Sequence, residues 1–210
     1  MNIIYLLFHG LSPYSGISKK ILHQVKGFEA CGHRVSLCTY SIADNGHRVR
    51  MINNEIIEDY GTGKPAAAKR RVSYQCIYRY AITHQVELIY VRSFHNANPF
   101  TIRLFSKLRK AGIKIAMEIP TYPYDSEYAG FPLVTRLGIQ VDKVFRKTLA
   151  KHVNAIVTFS DYHCIFGQRT IQISNGVDFD SIPLKKTVSK NTSVIHLLGV
   201  AAVSYTHLTL

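Results

Sequence analysis

The chain has 210 residues, 47% of them hydrophobic and 19% charged, with 26 Lys and Arg against 13 Asp and Glu and a formal net charge of +13. That composition suits a globular protein with a full core, and the charge favours an anionic partner. Zinc-finger spacing, an aromatic RNA-binding signature and a basic zipper are all missing, so no nucleic acid is expected, and a membrane surface or a phosphate-bearing ligand is preferred.

Cys31, Cys38, Cys76 and Cys164 lie far apart without C-x-x-C spacing, the pattern of reduced thiols in a cytoplasmic protein. The 10 histidines are scattered with no H-x-x-x-H pair, so no metal site is expected. Residues 1–8 lack the basic start of a signal peptide, and no run reaches the ~18 apolar residues that a spanning helix needs.

Residues 2–8 (NIIYLLF) form a continuous apolar run, the pattern of a strand buried on both faces. A loop with Gly10, Ser15 and Gly16 follows. A helix is predicted over residues 17–31, with Ile17, Ile21, Leu22, Val25 and Phe28 inward and Gly32 as its stop. Residues 34–39 (RVSLCT) are the second strand, closing on Thr39-Tyr40. The loop lacks the three glycines of a dinucleotide fingerprint. Gly16 still lets a phosphate or a sugar approach the backbone amides, unless it is a plain turn glycine.

Residues 41–63 read as irregular, with a hairpin about Asn53-Asn54 between residues 48–52 and 55–57. One helix is predicted over residues 69–85, with Val72, Cys76, Ile77, Tyr80 and Ala81 inward and Lys69, Arg70, Arg71 and Arg79 on a solvated face. The strand 87–91 (ELIYV) ends on Arg92, which suits a phosphate or carboxylate ligand or an internal pair with Glu118. Asn98-Pro99 opens the next helix as N-cap and first residue, and Gly112 stops it.

Residues 113–118 form a buried strand that delivers Glu118 to its carboxyl end. The continuation, IPTYPYDSEY, holds two prolines that end the strand and stiffen a loop bearing Tyr122, Tyr124 and Asp125. In parallel sheets that edge is where ligands bind. Residues 133–153 carry an amphipathic pattern with Val134, Leu137, Val141, Val144, Phe145 and Leu149 on one stripe. Arg136, Lys143, Arg146, Lys147 and Lys151 fall mostly off it. The stripe is expected to pack on the sheet, leaving the basic face free to touch anionic headgroups. Strands 154–159 and 170–174 lead to an Asn175-Gly176 turn, a polar stretch at 184–193 and a fresh apolar run at 194–200. Alternation of strands and helices predicts an α/β fold, a Rossmann-like, doubly wound, mostly parallel sheet with helices on both faces.

Several of these pieces together resemble the N-terminal domain of a retaining, family 4 glycosyltransferase of the GT-B fold. They are Gly16-Ile17-Ser18-Lys19-Lys20, Gly32-His33-Arg34-Val35, Ile89-Tyr90-Val91-Arg92, the segment Glu118-Ile119-Pro120-Thr121-Tyr122-Pro123-Tyr124-Asp125, and Ile173-Ser174-Asn175-Gly176-Val177-Asp178. The resemblance implies an enzyme that moves a sugar from a nucleotide-sugar co-substrate to a glycan or lipid-linked acceptor in surface polysaccharide or glycolipid synthesis. It implies no cofactor and no metal, with helix N-termini and basic side chains steadying the leaving diphosphate. Gly16 and Ser15 would face the donor phosphates, and Arg92, Tyr122, Tyr124, Asp125 and Asn175 would line the substrate site. Glu118 stands where many relatives carry a histidine; its role is acceptor of a sugar hydroxyl, base, or scaffold.

The same resemblance divides the chain into an acceptor-side domain at 1–183, a linker at 184–193 and the start of a donor domain at 194–210. Its tail from about residue 202 resembles translated adapter sequence rather than the family's continuation. The expected location is cytoplasmic, with peripheral contact at the inner face of a membrane. The rival expectation is a non-catalytic Rossmann-like module that binds an anionic ligand or a membrane surface.

Overall fold

A computed structural model describes residues 1–92, 96–124, 133–174 and 176, with only the backbone described at 134 and 135. The elements in order are β1 (Asn2–Leu6), α1 (Gly16–Ala30), β2 (Arg34–Ile42), β3 (Arg48–Ile52), β4 (Glu55–Asp59), α2 (Gly63–Val72), α3 (Gln75–Thr83), β5 (Leu88–Arg92), α4 (Pro99–Lys110), β6 (Lys114–Ile119), α5 (Leu133–Ala150), β7 (Ala155–Thr158), β8 (Cys164–Ile165) and β9 (Gln168–Gln172). The strands line up as β4-β3-β2-β1-β5-β6-β7-β9-β8. Strands β2, β1, β5, β6, β7 and β9 run parallel, and the antiparallel pairings fall at the two edges. This is the α/β, Rossmann-like, doubly wound sheet that the alternating pattern predicts.

β1 sits at the centre because its sequence is apolar on both sides. Ile4 and Leu6 join the core under α3, α4 and α5. Ile3, Tyr5 and Leu7 join Ile21 and Val25 of α1 on the other face. Each of these strand side chains is at most 1% exposed, and burying one apolar side chain of this size stabilises the fold by about 2 kcal/mol. Only a strand covered by helices on both faces tolerates such a run.

Local signals set several boundaries. Asn53 and Asn54 adopt φ of 48° and 71°, the double left-handed turn that joins two strands with matching twist. Asn98 accepts hydrogen bonds from the amides of Phe100 and Thr101 at 2.9 and 3.1 Å, and Thr101 Oγ1 accepts from the Asn98 amide at 3.0 Å. This closes a capping box with Pro99 at the first helical position. Gly112 follows α4 at φ 83°, a conformation that a Cβ disfavours.

Tertiary packing altered other expectations. The single helix expected over 69–85 is two helices, α2 and α3, separated at Ser73 and Tyr74. Tyr74 is 6% exposed and sets its ring edge-on to Phe8 at 5.8 Å, while its hydroxyl donates to the Arg71 carbonyl at 2.9 Å. Anchoring that ring in the core breaks the helical run, and Val72, expected inward, is 43% exposed. In α1, Ile17 and Leu22 are 55% and 43% exposed; the helix buries a narrower stripe than its apolar residues allow. β2 runs on to Ile42 because β3 pairs with it antiparallel through Arg48. The stripe of α5 also divides: Leu149 is buried and Phe145 packs on the core, but Leu137, Val141 and Val144 are 58%, 45% and 70% exposed. The Val134 side chain and the stretches expected at 184–193 and 194–210 lie outside the described residues.

Candidate functional site at the carboxyl edge of the sheet

From β1 the chain winds outward through β2, β3 and β4, then crosses back to place β5 on the other side of β1. Connections therefore leave the carboxyl ends of β1 and β5 in opposite directions, and in open α/β sheets such a switch point is where the ligand crevice lies.

On the β1 side the crevice is bounded by the loop into α1. Ser15 caps α1 in extended geometry, its Oγ accepting from the Ser18 amide at 3.4 Å. Ser18, 4% exposed, accepts from the Ser12 amide at 2.9 Å and so ties the loop to the helix. A Cβ built on Gly16 meets nothing within 4 Å. Neither the backbone nor a neighbour demands glycine there, and the first turn of α1 carries the positive end of the helix dipole. Gly10 differs: a Cβ there would lie 2.8 Å from the Tyr40 carbonyl oxygen, so glycine is imposed by close approach of β2.

On the β5 side, Arg92 and Glu118 are register partners on β5 and β6. Both belong to the strand face that α1 covers. Arg92 Nη1 donates to Glu118 Oε1, the Tyr90 hydroxyl donates to Glu118 Oε2 at 2.6 Å, and Gln24 Nε2 donates to the same oxygen at 2.8 Å. Gln24 in turn accepts from the Tyr5 hydroxyl at 2.6 Å. Glu118 is fully buried and the Arg92 side chain is 8% exposed. Burial drives the Tyr5 and Tyr90 phenols well above their ordinary range, and the Glu118 charge adds to the shift. The network thus clamps α1 to the central strands. Of the two partners weighed for Arg92, the structure shows the internal one, and Glu118 is buried with three donors around it. At its entrance Lys20 lies over the Phe159 ring at 3.5 Å, and burial pulls its ammonium pKa down against the opposing pull of Glu118.

The proline-stiffened loop turns the other way. The Tyr122–Pro123 bond is cis. The Tyr122 amide donates to Ser160 Oγ at 3.0 Å, and its ring meets Tyr162 and Phe166 at 5.0 and 5.5 Å. Tyr124, 8% exposed, donates to Asp142 Oδ2 at 3.4 Å under the Arg146 guanidinium. Both tyrosines pack on the core beneath α4 and α5. The structure therefore brings Ser15, Gly16, Arg92 and Glu118 to one face of the edge and Tyr122 and Tyr124 to the other. Asp125 and Asn175 lie outside the described residues.

Sequence reasoning did not single out Tyr5, Tyr90 or Gln24. The available signal was a phenol in each of two apolar runs, NIIYLLF and ELIYV, together with one amide on the inner stripe of α1. It becomes a network only when β1 and β5 pair with Tyr5 opposite Tyr90. Arg50 was also missed: fully buried on β3, it donates to the Leu7 carbonyl at 2.7 Å, and its Nε has no hydrogen-bond partner among the described residues.

Among the described residues no group of three or more His, Cys, Asp or Glu converges as a metal-ligand set. No protein-family model matches the chain, and no curated protein matches it at a significant level. A functional reading therefore rests on the residues themselves.

Proposed function

We propose that this chain supplies the acceptor side of a retaining GT-B glycosyltransferase, which moves a sugar from a nucleotide-sugar to a glycan or lipid-linked acceptor. The observation that carries the reading is the open first turn of α1 at Gly16, held by Ser15 beside the switch point of the sheet. The positive end of the helix there suits the developing charge of a leaving diphosphate, the species such a transfer must steady. The Arg92–Glu118 clamp holds that helix against β5 and β6, so its first turn is rigid before a ligand arrives. Glu118 acts in this scheme as a scaffold for the crevice wall, and the donor nucleotide is bound chiefly by a second domain beyond these residues.

The full burial of Glu118 also favours a second reading, a non-catalytic Rossmann-like module that uses the same crevice to bind an anionic ligand. Ligand-observed NMR on the whole chain tests the acceptor-side reading. Saturation transfer is expected to lipid-linked or free glycan acceptors, with little to nucleotide-sugars alone and no turnover. Sugar transfer by this chain alone overturns it. Binding of inorganic phosphate or pyrophosphate with no response to any glycan favours the module.

A further inference from the structure

Helix α5 (Leu133–Ala150) has two apolar sides. The inner side holds Ile139, Leu149 and Ala150, 5%, 5% and 0% exposed, of which Leu149 and Ala150 join the core shared with α4. On the outer side Leu133, Leu137, Val141 and Val144 are 70%, 58%, 45% and 70% exposed. They follow one another at spacings of four, four and three residues, so they form one continuous stripe. Single exposed hydrophobic residues are ordinary on a protein surface, but four large ones in a row on one helix make a patch that wants a cover.

Charge selects the cover. Arg136 and Lys147 are exposed and line one flank of the stripe, and the exposed Lys151 follows just past the end of the helix. The one acid of α5, Asp142, is 3% exposed and turned inward, where its Oδ1 accepts from the Ala97 amide at 2.9 Å. The outer face of α5 is thus apolar and cationic with no carboxylate of its own. A second copy of the chain would bring the same cations and a net charge of +13 to the contact, which disfavours self-association.

We propose that the outer face of α5 docks this protein on an anionic lipid bilayer. The helix lies in the plane of the interface, with the stripe of Leu133, Leu137, Val141 and Val144 sunk to the boundary of headgroup and acyl chain. Arg136, Lys147 and Lys151 lie against the lipid phosphates. An 18-residue helix gives a footprint of about 27 Å. The attachment is peripheral: no helix among the described residues is long and apolar enough to cross a membrane. The inference does not depend on sugar transfer.

The chain contains no tryptophan, so Val144→Trp creates a single reporter on the stripe, and Ile56→Trp, at a site 57% exposed on the distant β4 edge, serves as its control. The full chain is mixed with vesicles of phosphatidylcholine, with and without phosphatidylglycerol, and followed by sedimentation and tryptophan emission. Binding is expected to the anionic vesicles only and to weaken with salt. The Val144→Trp emission shifts to the blue and that of Ile56→Trp does not. Replacing Arg136, Lys147 and Lys151 together by Gln lowers the affinity roughly a hundredfold. Leu137→Ser with Val144→Ser abolishes the blue shift's counterpart in sedimentation while circular dichroism stays unchanged. Equal binding to neutral vesicles, no binding at low salt, an unshifted Val144→Trp signal on bound protein, or a dimer that forms through this stripe without lipid would each overturn the proposal.

Discussion

Replacing Glu118 by Gln removes one charge and changes almost nothing in shape, so it isolates what the carboxylate does. In the native fold that side chain is fully buried and accepts from Arg92, from the Tyr90 hydroxyl at 2.6 Å and from Gln24 Nε2 at 2.8 Å. The amide keeps one acceptor oxygen and turns a donor toward groups that are already donors. Arg92, 7% exposed as a residue, is left without its counter-charge. Breaking one side of a buried ion pair costs about 3–5 kcal/mol; taking the lower end for a site with polar neighbours, ~3 kcal/mol corresponds to a melting temperature lower by about 6–12 °C in a chain of this size. Urea and thermal unfolding of Glu118→Gln, Arg92→Met and the double variant measure it. The double variant is expected to fall short of the sum of the singles by about 1–2 kcal/mol, because the second substitution removes a charge that the first had stranded. A Glu118→Gln protein within about 0.5 kcal/mol of the parent would refute the scaffold role and return Glu118 to the list of groups available to substrate.

Four other outcomes are expected. Asn98→Ala opens the capping box of α4 and should cost about 1 kcal/mol by urea unfolding, with Asn98→Asp restoring most of it. Gly16→Val places its side chain where nothing lies within 4 Å, so stability should change by under about 1 kcal/mol while phosphate or acceptor binding at the first turn of α1 is lost in ligand-observed NMR; retained binding would remove that turn from the site. Tyr5 and Tyr90 are held protonated above the ordinary 10.0, by burial first and the Glu118 charge second. Their contribution is therefore complete below pH 10 and fades as the pH rises beyond it, so tyrosinate absorbance should show a late fraction that ionises together with loss of the fold. Cys31 and Cys164 are exposed, whereas Cys38 and Cys76 are buried and burial pushes the Cys38 thiol up to about 12; maleimide should label the first pair in the native protein and the second only after unfolding.

Much of the fold is legible in the chain because its decisive signals act over a few residues. The unbroken apolar run of β1 demands cover on both faces wherever it is placed. Asn53-Asn54 turns the β3–β4 hairpin through its own tolerance of positive φ, and Asn98-Pro99 starts α4 with its own side-chain oxygen and fixed φ. Other features were decided only when distant segments met. Nothing in residues 69–85 announces the break at Tyr74, which exists because Phe8 offers its ring a place in the core. The amphipathic pattern of α5 showed that two kinds of surface exist but not which way they turn: helical period orders residues around an axis, and packing against the core and α4 chooses the angle. Glu118 shows the limit most clearly. Its position at a strand's carboxyl end was readable, but its availability was not. That depended on Arg92 lying in register beside it, on Tyr90 sharing its face, and on Gln24 arriving from a helix 94 positions away along the chain, and hydrogen-bond partners at that separation are set by the packing of the whole sheet.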